Sequence, residues 1–155
     1  MDTHTPETGS QAARSAWMRV LALADGAALD QAYQALGPLP AFRPLRAPEV
    51  GMTMVRGRAG GTGEQFNLGE MSVTRCAVAF EQGVVGTAYV QGRSLRHAEQ
   101  AAVLDGLLQM DDWYEAVQTI VVAPLARVHE ERRARRAAEA AQTRVEFFTM
   151  VRGEN

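Results

Sequence analysis

The sequence predicts an α+β fold in which an antiparallel sheet, a hairpin plus a C-terminal strand, packs with several helices. Three observations carry that reading. Apolar residues recur at helical spacing near the start of the chain, alternate with β-branched character through its middle, and return to helical spacing before a last strand-like segment. With 155 residues, 46% of them apolar, one domain can bury roughly 70% of the surface its unfolded chain exposes.

Residues 1–13 hold Thr, Pro, Gly, Ser and Gln with no apolar period. Such a segment cannot offset the entropy of ordering it, so a disordered tail is expected there and a single domain over residues 14–155. Trp17, Val20, Leu21 and Ala24 make a first helical stripe, and Leu29, Ala32, Tyr33 and Leu36 a second after Asp25 and Gly26. Gly37 and Pro38 end it. Pro38, Pro40, Pro44 and Pro48 then predict an extended connector, because each disfavours helix in the residue before it.

Residues 50–58 alternate as a strand, and Gly60, Gly61, Thr62 and Gly63 form a loop open to backbone angles closed to other residues. A second strand is expected over residues 65–80, with Gly69 as a bulge where the alternation shifts. Glu81, Gln82 and Gly83 turn the chain into a third strand over residues 84–91.

Ser94 is placed to cap a helix carrying Leu95, Ala98, Ala102, Leu104, Leu107 and Leu108. Asp111 or Asp112 caps the next, with Trp113, Val117, Ile120 and Val121, and Pro124 either opens a further helix or kinks a continuous one. Residues 130–141 are rich in Arg, Glu and Ala, and Glu131 stands four before Arg135 as in a solvated helix. Residues 145–151 are the last strand candidate. The pentapeptide TMVRG occurs at residues 53–57 and again at 149–153; if the two copies pair as strands, Arg56 and Arg152 converge.

Sixteen basic against eighteen acidic residues leave a formal charge of −2, which removes any general electrostatic case for nucleic acid or an anionic membrane. All sixteen basic residues are arginine, so Schiff-base, P-loop and general-base lysines are excluded. Cys76 is the single cysteine, so neither an intrachain disulfide nor a cysteine-rich metal or iron-sulfur site can be built from this chain. The start lacks a signal-peptide pattern, and the longest apolar stretch, residues 120–126, is far short of the roughly 20 needed to span a bilayer. A cytoplasmic setting is expected.

The segment RGRAGGTGE places Arg56 and Arg58 beside a glycine-rich turn through Gly60, Gly61, Thr62, Gly63 and Glu64. Backbone N–H groups of such a turn and an arginine fork suit a phosphate or phosphonate, while a plain hairpin tip accounts for the same residues. His97 and Glu99 form H-x-E without the P-C-x-x-C of a zinc deaminase, so no metal site follows. His97 is a candidate acid or base and equally a residue that completes a helix start. His4 and His129 have no evident partner. Arg132, Arg133, Arg135 and Arg136 are the one basic cluster, offset by Glu130, Glu131 and Glu139 and without stacking aromatics, which fits a solvated helix face or a salt-bridged subunit contact.

The segments MVRGRAGGTGEQFNLGEMSVTRCAV, GTAYVQGRSLRHAE, VAPL and RVEFFTMVRGEN closely resemble the PhnG family of the bacterial carbon-phosphorus lyase system. The likeness runs from about Trp17 to the end of the chain. It implies a cytoplasmic core complex with PhnI, PhnH and PhnJ, two-fold symmetric, in which a phosphonate displaces adenine from ATP to give ribose 1-phosphonate 5-triphosphate. PhnI is then expected to carry the nucleosidase chemistry, and PhnJ the iron-sulfur cluster and S-adenosylmethionine radical chemistry, with no cofactor on this subunit. Arg56, Arg58, Gly60, Gly61, Thr62, Gly63, Glu64 and Arg152 are where a phosphate, phosphonate or partner contact is expected. Whether this chain donates residues such as His97 to a shared site or only supports the complex stays open, as does a stand-alone anion-binding module.

Overall fold

A computed structural model describes residues 8–142. In chain order it has α1 (Thr8–Leu23), α2 (Gly26–Ala35), β1 (Phe42–Arg58), a 3-10 turn at Ala59–Gly61, β2 (Gln65–Phe80), β3 (Val85–Gln91), α3 (Leu95–Leu107), α4 (Asp111–Val117), a π-helical turn at Gln118–Val122 and α5 (Ala123–Gln142). The described strands form one antiparallel sheet in the order β1-β2-β3, so the expected α+β class is what the chain adopts. The C-terminal strand expected over residues 145–151 lies outside the described residues, and so do Arg152 and the second TMVRG copy.

Three expectations change. The first helix begins at Thr8, so residues 8–13 continue the helix instead of belonging to a tail. The proline-rich connector is, from Phe42, the first part of β1. That strand lies at the edge of the sheet, where a residue without an N–H is tolerated, and its pairing shifts register between Pro44 and Arg46 and again between Arg46 and Glu49. Neither Asp111 nor Asp112 caps α4: Met110 holds the cap position without a side-chain bond, and both carboxylates sit in the first turn, where the helix dipole favours them.

Other local signals act as read. Asp25 Oδ1 accepts from the N–H groups of Ala27 and Ala28 at 3.1 Å, and Ser94 Oγ from that of His97 at 3.2 Å. The pairing of β1 with β2 slips between Val55 and Arg56, opposite Gly69 and Asn67, so the bulge sits where Gly69 marks it. Gly83 turns β2 into β3 with φ of +83°. Pro124 opens a helix: it is the second residue of α5, and the turn before it takes the π form, where a residue that cannot donate within the ladder is accommodated.

The core lies on one face of the sheet. Cys76, Val78 and Phe80 of β2 and Ala88 and Val90 of β3 face α3, of which ten residues from His97 to Leu107 are buried. Leu21 and Trp17 of α1, Leu29 of α2 and Val117, Val121 and Leu125 close the remaining sides. β1 and β2 run well beyond β3, which pairs only with Val73–Ala79, so residues 52–58 and 65–72 stand out as a two-stranded arm with Ala59–Gly61 at its tip.

Candidate functional site

The arm places Arg56 and Arg58 on one face of β1, opposite Asn67 and Gln65 of β2. Gly60 and Gly61 at the tip hold φ of +59° and +80°, which leaves those positions to glycine. Gly63 is constrained differently: its N–H donates to the Ala59 carbonyl at 2.8 Å, and a Cβ there would stand 2.7 Å from that oxygen. Arg58 Nη1 donates to the Gly63 carbonyl at 3.0 Å, so this guanidinium braces the loop. The Arg56 side chain makes no hydrogen bond or ion pair among the described residues and is exposed. Thr62 and Glu64 are both exposed, on either side of a partly buried Gly63 at the turn into β2. Of the two arginines, Arg56 is therefore the one with all of its side-chain donors uncommitted among the described residues.

His97 lies elsewhere, in the first turn of α3 where α1 and α2 meet it. The ring is buried, and its Nε2 stands 2.8 Å from the Leu21 carbonyl. A carbonyl only accepts, so Nε2 carries the hydrogen and the contact ties α3 to the end of α1. The ring borders a cleft of about 310 Å³ with Gly26, Asp30, Ser94, Arg96 and Gln100. Asp30 accepts from Arg96 Nε at 2.9 Å and from Gln100 Nε2 at 2.6 Å, and these bonds hold its carboxyl below the usual carboxylate range. This group of polar residues joins helices 66 and 70 residues apart in sequence, and no local motif announces it. The tip arginines and His97 belong to two separate places in the fold.

Cys76 is a core residue, 2% exposed, with its Sγ 3.5 Å from the Arg46 carbonyl. Burial first, and the charge of Glu99 second, push its thiol up. On α5, Arg133 pairs with Glu130 at 3.2 Å, while Glu131 reaches back to Arg127 at 3.9 Å and not forward to Arg135. Arg133, Arg135 and Arg136 are exposed and Arg132 half-buried, a solvated helix face. Among the described residues, no three His, Cys, Asp or Glu side chains gather as metal ligands, and no helix is long and apolar enough to cross a membrane.

The sequence reading passed over Asp105, a carboxylate inside the apolar run AAVLDGLL. It is fully buried and accepts from Arg14 Nη2 at 2.7 Å, Trp17 Nε1 at 2.9 Å and the Thr87 N–H at 2.9 Å. Its isolation within an apolar stripe is the signal that marks it.

The family model described as phosphonate metabolism protein PhnG matches residues 12–153. The chain is also similar to the alpha-D-ribose 1-methylphosphonate 5-triphosphate synthase subunit PhnG of Rhizobium meliloti (strain 1021), at 41% identity over 151 residues, covering 97% of this chain and 96% of that protein.

Proposed function

The chain belongs to the PhnG family of phosphonate metabolism, and from that membership we propose that it acts as a subunit of alpha-D-ribose 1-methylphosphonate 5-triphosphate synthase. The observation that carries this reading is the near full-length match: 41% identity over 97% of this chain and 96% of that protein. As a synthase subunit it is a component of a catalytic complex and works with partner subunits.

We take those partners to be PhnI, PhnH and PhnJ, in a two-fold symmetric cytoplasmic assembly. The reaction joins a phosphonate oxygen to the anomeric carbon of the ATP ribose as the bond from that carbon to adenine breaks, and adenine leaves with the proton. Phosphonate and triphosphate are both anionic, and fixed guanidinium groups offset the repulsion between them. The exposed Arg56, held beside the braced loop of Arg58, Gly60, Gly61, Thr62, Gly63 and Glu64, is our candidate for that contact or for a contact to PhnI, with Arg152 as its sequence counterpart. The family resemblance implies that the radical chemistry that follows belongs to PhnJ, and a chain with a single, buried cysteine is compatible with a cluster held on another subunit. His97, with one ring nitrogen committed to Leu21, fits a role in positioning helices.

Co-expression with PhnI, PhnH and PhnJ tests the proposal against a stand-alone anion-binding module. The chain is expected to comigrate with the three subunits on size exclusion. A chain that elutes alone, with the other three assembled without it, refutes the reading.

A further inference from the structure

The β1–β2 arm leaves one stretch of sheet edge without the protection that the others have. The outer row of β1 is interrupted by Pro44 and Pro48 and by two register shifts, and along the arm it carries Arg56 and Arg58. On β3, the Val85 carbonyl accepts from Gln109 Nε2 at 3.0 Å and from Arg14 Nη2 at 3.4 Å. Along β2, β3 ends at Gln91, and the Gly92 N–H, which donates to the Ser72 carbonyl at 2.8 Å, closes its row. Residues 65–71 beyond it are therefore paired along one edge only among the described residues, and they contain neither proline nor base. Phe66 is 46% and Leu68 65% exposed on the face that Gly57 shares, whereas Glu70 lies on the other, opposite Met54. Where β3 stops and the arm starts, a cleft of about 560 Å³ is bordered by Leu23, Met52, Met71, Tyr89 and Gln91. A two-stranded ribbon with exposed apolar groups and a bare backbone edge is marginal by itself and a template for another strand.

We infer that this edge of β2 takes up an extended segment of a partner subunit, apolar on the face of Phe66 and Leu68 and carrying an arginine or lysine on the face of Glu70. The inference rests on the chain being a synthase subunit, and it says where on the chain a partner is held. The free row selects an extended backbone, because only a strand offers N–H and C=O groups at the matching spacing. Charge selects the side chains. Glu64 and Glu70 are exposed and belong to no ion pair among the described residues, and no base lies between Gln65 and Thr74. A second copy offers the same stretch without a base, so antiparallel self-pairing would give Glu70 no counter-charge, whereas a basic residue directly across the strands gains an opposite-charge pair. The added strand continues the row that β3 begins, and its end nearest β3 meets the cleft of Leu23, Met52, Met71 and Tyr89, which suits an apolar side chain. Strand addition of this kind draws affinity from main-chain hydrogen bonds and specificity from alternate side chains.

Amide hydrogen exchange of the full chain, alone and in the complex purified with its partner subunits, tests the inference. Residues 65–71 are expected to exchange at least about tenfold more slowly in the complex. A benzophenone attached to Leu68→Cys, with Cys76 buried and out of reach of the reagent, is expected to cross-link to a partner-subunit segment that holds an arginine or lysine. Glu70→Arg, at an exposed position, should leave the melting of the isolated chain unchanged and weaken its assembly by at least about tenfold, and Glu70→Gln should weaken it less. A complex that forms while residues 65–71 exchange as they do in the isolated chain overturns this inference alone. So does a cross-link to a second copy or to the chain's own C-terminal segment, or assembly of Glu70→Arg at wild-type affinity. A chain that joins no complex overturns the proposed function together with the inference.

Discussion

The indole N–H of Trp17 in α1 donates to the carboxylate of Asp105 in α3 at 2.9 Å, across 88 residues of sequence, and both groups are buried. The same carboxylate takes Arg14 at 2.7 Å and the Thr87 N–H at 2.9 Å, so one side chain joins α1, β3 and α3. The carboxylate is fully buried and Trp17 nearly so, while Arg14 stays partly exposed, so the loss of Asp105 would strand the buried indole donor without a partner. Asp105→Ala is expected to cost about 3–5 kcal/mol and Trp17→Phe about 1–2 kcal/mol, read from urea unfolding of the two variants. Equal stability of Asp105→Ala and wild type would show that the network is not what fixes α1.

Two glycines set how close α3 lies to the sheet. A Cβ on Gly86 would collide with the Ala102 carbonyl and stand 2.6 Å from the Gly106 nitrogen, while one on Gly106 would strike the Phe80 ring. Gly86→Ala meets backbone and is expected to lose at least about 3 kcal/mol; Gly106→Ala meets a side chain and loses less. Thermal melts of both variants give the order, and the reverse order would contradict this packing.

The elements legible in the sequence are those whose signals are local. Ser94 capping α3, Gly69 at the bulge and the span of β2 all follow from residues within a turn or a strand of one another. Phe42–Pro48 reads in sequence as an extended connector and not a paired strand because propensity treats proline as a break, whereas an edge strand has an outer side that needs no donor. Met110 displaced Asp111 as cap because the chain leaves α3 through Leu108 and Met110 at a geometry set by packing, not by capping strength. Of the candidate site, the glycine turn was readable, but the bond from Arg58 to Gly63 that separates its role from that of Arg56 is tertiary in origin. Asp30 with Arg96 and Gln100 has no sequence signature at all.

Cys76 should be inert in the folded chain. Burial holds the thiol protonated near neutral pH, and it is the thiolate that reacts. Alkylation by iodoacetamide at pH 8 is expected to be slower than that of a free thiol by at least about tenfold and to become fast in urea. Rapid labelling without denaturant would count against a buried Cys76.

Asp30 gives the chain an acid-side dependence. Its carboxyl is held below the ordinary value of 3.8 by Gln100 and Arg96, so it contributes stability that is present above that value and is lost as the pH falls through its folded-state pKa. Unfolding curves of wild type and Asp30→Asn should differ at pH 7 and converge as the pH falls through the lowered folded-state pKa of Asp30. A difference that grows toward low pH would have the wrong sign for this arrangement.

If the arm tip meets the anionic substrates, Arg56→Ala should weaken triphosphate binding by the assembled complex by about tenfold, the loss of one charge-assisted contact of about 1.5 kcal/mol. Arg58→Ala should act indirectly, through the loop held to Gly63, and glycine substitution at neighbouring Ala59 should not mimic it. Calorimetry with ATP on the intact complex reads both; an unchanged dissociation constant for Arg56→Ala removes the tip from the binding site.

The most direct measurement is adenine release from ATP and methylphosphonate by PhnI, PhnH and PhnJ with and without this chain, alongside the chain alone. Turnover is expected only when the chain and its companions are present together. Turnover by the isolated chain, or by the companions at an equal rate in its absence, would contradict its place as a required subunit that does not act by itself.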